Sequence, residues 1–142
     1  MAALALDGSK DITVRTLAMN LTSGALQKDY RTEACLCLGY CRDQVRYVQD
    51  IRTVEVLQTP NATLRLNGGD CDDKATLLAA MLGSIGHRVR FIAISFTPGQ
   101  YSHVWVQDFV EGKWLDLEPT EPVPCGARIP DSAACQYLTL EV

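Results

Sequence analysis

Three residues of this chain could together carry out acyl chemistry: Cys71, His103 and Glu118, in that order. A thiol is a nucleophile once it loses its proton. An imidazole can take that proton and return it, and a carboxylate can fix the imidazole's tautomer. Cys71 closes the run Asn67-Gly68-Gly69-Asp70-Cys71 and is followed by Asp72 and Asp73. The glycines predict a turn and the residues beyond it a helix, so the thiol should head that helix. Partial positive charge there favours the thiolate. The backbone N–H of Cys71 becomes a natural oxyanion donor. A second donor is left open among Gln44, Gln58 and Asn67. Asp70, Asp72 and Asp73 oppose a thiolate by like charge. They are expected to cap the helix and point away from sulfur, Asp70 and Asp73 as a capping pair. Trp105 and Asp70 are the candidate substrate contacts.

The elements that must position these groups follow from spacing. Residues 1–10 read as a loose lead-in. Ile12, Leu17, Ala18 and Leu21 predict a helix over about 11–23, and Ala34, Cys37, Leu38, Cys41, Val45 and Val48 a longer one over about 28–48. A connector, extended at about 54–57, leads to Thr59-Pro60, a good start for a short helix ending at Leu66. The central helix runs over about 71–85, with Cys71, Ala75, Leu78, Leu82 and Ile85 on one face and Gly86 as its stop. Three strands follow, at about 89–96, 102–110 and 113–118, and a last one is expected at 136–142. Helices first and an antiparallel meander after them make an α+β fold.

The hairpin register chooses between two acids. If Glu111-Gly112 is a two-residue loop, Phe109 faces Trp114, Gln107 faces Asp116 and Trp105 faces Glu118. His103 is then the diagonal neighbour of Glu118, about 7–8 Å away between backbones, which two long side chains can bridge. Asp116 lies farther along and is only a substitute. His87, just past a helix end, is given no role.

At 142 residues, 47% hydrophobic and 21% charged, the chain fits one globular domain with its core at about 28–120 and a loop-rich tail at 121–142. A net charge of −4 with no basic patch argues against nucleic acid. No apolar run approaches the ~18 residues needed to span a membrane, and the first residues lack the charged start of a signal peptide. A cytoplasmic chain is expected. With Cys71 set apart, five cysteines remain, an odd number that does not suggest a full disulfide framework. Cys35, Cys37, Cys41, Cys125 and Cys135 are expected as structural thiols, since their spacing fits no common zinc pattern. No cofactor or metal is called for.

The motifs resemble those of the transglutaminase-like superfamily of papain-like thiol enzymes. They are Gly69-Asp70-Cys71-Asp72-Asp73-Lys74-Ala75, then His103-Val104-Trp105, then Gly112-Lys113-Trp114 through Leu117-Glu118-Pro119-Thr120, with Val45-Arg46-Tyr47 and Gln58-Thr59-Pro60 upstream. The resemblance covers about residues 40–120. It implies a Cys-bearing helix packed on an antiparallel sheet that carries His and acid, and thiol acyl chemistry on peptide or glutamine amides. The family's usual acid is Asp before Pro, where this chain has Glu118. In size the chain is similar to small versions from bacteria and their phages. A peptidase or amidase acting on a peptide or protein amide is the leading expectation. Transglutaminase-type crosslinking, or a non-catalytic peptide-binding or assembly module on the same fold, are the alternatives.

Overall fold

A computed structural model describes residues 1–49 and 56–142. In chain order its elements are α1 (Ala2–Gly8), α2 (Ile12–Thr22), α3 (Tyr30–Asp43), β1 (Arg46–Tyr47), α4 (Pro60–Leu66), β2 (Gly68–Gly69), α5 (Cys71–Ser84), β3 (Val89–Ser95), β4 (His103–Val110), β5 (Lys113–Leu117) and β6 (Gln136–Glu141). The last four form an antiparallel sheet in the order β5-β4-β3-β6. Helices followed by an antiparallel sheet make the fold α+β, as the sequence predicts.

Helix α5 is the centre of the molecule. Every residue from Asp73 to Leu82 is buried, because α1 to α4 pack on one side of it and β3 and β4 on the other. Residue spacing alone predicts a single inward face for it. A helix coated on both sides has no solvent face to keep polar, which is why Ala79, Ala80 and Met81 are also buried.

Two boundaries depart from expectation. The supposed lead-in forms α1, held by packing rather than by a cap: Ala5 and Gly8 are buried, and α1 lies against α5. The long helix stops at Asp43. Lys74, itself buried, donates to the carbonyls of Val45 (2.9 Å) and Arg42 (3.3 Å). The chain then extends, and Arg46–Tyr47 pairs in parallel with Gly68–Gly69. Val48 is consequently exposed. Of the connector expected to be extended at 54–57, residues 54 and 55 lie outside the described residues.

The β4–β5 hairpin closes as predicted. Glu111 and Gly112 both adopt positive φ, 52° and 79°, the signature of a two-residue turn whose twist matches the strands. Phe109 pairs with Trp114 and Gln107 with Asp116.

The inner sheet face, with Val89, Phe91, Val104, Val106 and Leu117, joins the helical core. On the outer face Ile92, Ile94 and Trp105 are covered by Ile129 and Ala134 from the tail. Residues 119–135 thus form a strap across the sheet. It is fastened by Arg42 Nη1 donating to the Val123 carbonyl (2.9 Å), Gly126 N–H to Asp116 (3.0 Å) and Cys135 N–H to Ser95 (2.8 Å). A disulfide between Cys35 on α3 and Cys125 fastens it covalently. This corrects the expectation of structural thiols for that pair, whose sequence separation of 90 gave no local sign of pairing. Such bonds persist in oxidising surroundings. Cys37 and Cys41 are buried free thiols and Cys135 is exposed.

His87 joins three elements. Its Nδ1 lies 2.6 Å from Asp108 Oδ2 on β4 and its Nε2 3.0 Å from Glu33 Oε2 on α3, with the imidazole 1% exposed. Burial pulls its pKa down, but the bonds to Asp108 and Glu33 outweigh burial and hold it above the ordinary value. A pKa raised by folding stabilises fully below the unfolded value, about 6.5, and that contribution fades as pH rises through the folded pKa. Urea unfolding should therefore show stability falling as pH rises above about 6.5. The fall should be flatter in His87→Gln. Equal slopes in the two proteins would mean that His87 is neutral in the fold.

Candidate active site

The loop that presents Cys71 is fixed from three directions. Asp70 caps α5, its Oδ1 accepting from the N–H groups of Asp72 (3.0 Å) and Asp73 (3.2 Å). Asp73 reaches back to the Asp70 N–H (3.4 Å), completing the predicted capping box. Asp73 is almost fully buried and also accepts from the backbone and side-chain N–H of Gln58, both at 2.7 Å. Burial still raises the Asp73 carboxyl, against the pull of these bonds. At Gly69 a Cβ would lie 2.5 Å from the Asp73 Cβ, so the close approach of turn to helix admits no side chain there.

This arrangement sorts the oxyanion candidates. Gln58 spends its amide N–H groups on Asp73 and on the Gly68 carbonyl (3.4 Å), so its amide secures the loop. Asn67 takes the left-handed position that ends α4, with φ 50°, and Gln44 ends α3. In the first turn of α5, Asp70 takes the N–H groups of Asp72 and Asp73. The Cys71 N–H stands outside that box.

The thiol itself differs from expectation. Cys71 Sγ donates to Asp72 Oδ1 at 3.6 Å, so this carboxylate faces the sulfur and does not turn away. Burial, then Asp72 and Asp70, push the Cys71 pKa up to about 12, against a hydrogen bond from the Val104 N–H. Desolvation and two adjacent carboxylates thus oppose the thiolate that a helix N-terminus would favour. The Val104 bond sets the sulfur beside the start of β4, next in the chain to His103.

His103 and Glu118 meet as the hairpin register predicts, Nε2 to Oε2 at 2.6 Å, with the glutamate fully buried. The other glutamate oxygen accepts from the N–H groups of Thr120 (2.9 Å) and Glu121 (3.4 Å), the first residues of the strap beyond Pro119. With Nε2–H donated to the carboxylate, Nδ1 is the imidazole's basic nitrogen. Asp116, the substitute acid, is turned elsewhere: its Oδ1 accepts from Trp105 Nε1 (2.8 Å) and Gln107 Nε2 (2.7 Å).

Trp105 is fully buried, so it offers no surface to a substrate; the strap hides it. Asp70 serves as the helix cap. Tyr47 was not anticipated. It sits on β1 opposite Gly69. Burial, then the nearby Cys71, Asp70, Glu121 and Asp72, raise its phenol pKa. Only the motif Val45-Arg46-Tyr47 upstream hinted at it. Among the described residues no group of three or more His, Cys, Asp or Glu is placed to hold a metal ion, and no helix is long and apolar enough to cross a membrane.

The family model of the transglutaminase-like superfamily matches residues 15–119, and the chain belongs to that superfamily. No curated protein sequence matches it. Two solved structures share the fold. One is described as a "putative cysteine protease" from Cytophaga hutchinsonii, with 17% identity, a TM-score of 0.62, and 90% of this chain aligned to 46% of that one. The other is described as a "putative protease" from Parabacteroides distasonis, with 18% identity, a TM-score of 0.66, and 87% of this chain aligned to 26% of that one. The chain spans less than half the length of either.

Proposed function

We propose that the chain is a cysteine hydrolase, a peptidase or amidase, in which Cys71 attacks, His103 moves the proton and Glu118 orients His103. The observation that carries this is the buried Glu118–His103 bond at the start of β4, the strand whose Val104 N–H meets the Cys71 sulfur. The fold shared with the two structures described as proteases is consistent with it.

The chemistry starts from the protonated thiol. As Sγ bonds to the substrate carbonyl carbon, its proton passes to His103 Nδ1, and the Cys71 N–H receives the developing oxyanion. Glu118 stabilises the imidazolium without taking its proton. His103 then protonates the departing amine, leaving a thioester on Cys71. Water attacks the thioester, gives a proton to His103, and the acid leaves as the thiol is restored. A primary amine in place of water would give the transfer reaction instead.

The test is the rate of iodoacetamide labelling at Cys71 against pH, read on peptides by mass spectrometry. Base assistance of this kind typically contributes about 10²-fold or more. Near neutral pH the native protein should label about a hundredfold faster than His103→Ala. Labelling that rises only in alkali and is the same in both proteins would favour the binding module. Hydrolysis of peptide amides with and without added methylamine then separates hydrolase from transferase. Full activity in Cys71→Ala would overturn both.

A further inference from the structure

We propose that Asp116 is a positioning residue for His103, acting through Trp105; this rests on the Cys71–His103 reading above. The Glu118 bond pins one atom of the imidazole, Nε2. A ring held at one atom can still swing about its own bond to the chain, carrying Nδ1 away from the sulfur. Trp105 stands two residues on, along the same face of β4. Its indole lies nearly parallel to the imidazole, at 26°, with centroids 6.2 Å apart. A large rigid ring there limits that swing.

The indole is in turn fixed. Its Nε1–H is donated to Asp116 Oδ1 at 2.8 Å. Ile129 and Ala134 from the strap pack on the cluster it forms with Ile92 and Ile94, and the Arg128 guanidinium lies 5.7 Å above its ring. Asp116 is held just as firmly. The same Oδ1 accepts from Gln107 Nε2 at 2.7 Å, and Gln107 Oε1 accepts from Arg90 Nε at 2.9 Å. These three residues face each other across β3, β4 and β5. Arg90 in turn sits 3.9 Å over the Trp114 ring. The row is a polar truss on the outer sheet face, and its Asp116 end holds the indole that flanks the imidazole. The carboxylate first considered a stand-in for Glu118 serves His103 one residue removed.

Asp116→Ala leaves two buried donors without an acceptor and frees the indole, whereas Asp116→Asn keeps an acceptor oxygen. Labelling of Cys71 by iodoacetamide against pH reads the effect, with the exposed Cys135 as internal control. Displacements on this scale cost about tenfold or more. Asp116→Ala should lose about tenfold of the His103-dependent rate, Asp116→Asn should recover most of it, and Cys135 should label alike in all. Trp105→Phe, which keeps a ring but no N–H, should also slow Cys71, and combining it with Asp116→Ala should add little. A purely structural role would lower the melting temperature and leave the Cys71 profile native, and would overturn the proposal. If Asp116→Ala does not fold, a native profile in Trp105→Phe overturns it equally. Labelling in the native protein that is independent of His103 would instead sink the Cys71–His103 pair, and the positioning role with it.

Discussion

Glu118→Gln should lower turnover by about 10⁴-fold with the fold retained, the loss seen when an orienting carboxylate becomes an amide. The buried carboxylate has two duties here. One oxygen accepts from His103 and the other from the Thr120 and Glu121 N–H groups. An amide can accept on only one side. If its oxygen faces the strap, its N–H faces Nε2 and forces the proton onto Nδ1, so the base is lost. If its oxygen faces His103, its N–H meets two backbone donors. Neither arrangement stabilises an imidazolium. Turnover of a peptide-amide substrate, with a thermal melt alongside, checks this. Activity within tenfold of native would remove Glu118 from the mechanism. Glu118→Asp is informative as well. Asp is the acid typical of related enzymes, but here it would retract the carboxylate by one methylene from a 2.6 Å bond, and a substantial loss is expected.

Replacing both Cys35 and Cys125 by Ser should destabilise the chain by about 4–5 kcal/mol, as expected when a bond closing a loop of this size is removed. The bond ties α3 to the middle of the strap across a sequence separation of 90. Without it the strap keeps only its hydrogen bonds and the packing of Ile129 and Ala134. Calorimetry and urea unfolding of the double variant measure the change. Since Thr120 and Glu121 lie only a few residues before Cys125, turnover should fall too. A change below about 1 kcal/mol would mean that packing alone holds the strap.

What the sequence made legible was local. Asp70 and Asp73, three apart, announce the cap that places Cys71. Glu111-Gly112 fixes a two-residue turn, and that register alone selects Glu118 over Asp116. What it did not show depends on distant partners. Helix α1 has no capping side chain, and its reason to exist is α5. The end of α3 is set by Lys74, some thirty residues on. The burial of Trp105 and the pairing of Cys35 with Cys125 both require the strap, whose loop-rich composition gives no direction. The raised pKa of Cys71 comes from its burial and from the carboxylates of Asp72 and Asp70 facing it, and the turn of Asp72 toward the sulfur is something no spacing rule supplies.

One chain here holds a closed cystine and a half-buried free thiol, and these ask opposite things of their surroundings. Oxidation and thiol exchange begin at thiolates. Burial and its carboxylate neighbours push the Cys71 pKa up, so at rest it offers an oxidant little thiolate except where His103 takes the proton. Burial silences Cys37, at about 12, and raises Cys41 as well. The exposed Cys135 is left to meet small oxidants first. Thiol enzymes are customarily handled in strong reductant, and here that habit carries a hidden cost. It severs the fastening that keeps Thr120 and Glu121 against Glu118. Activity measured that way would belong to a loosened molecule.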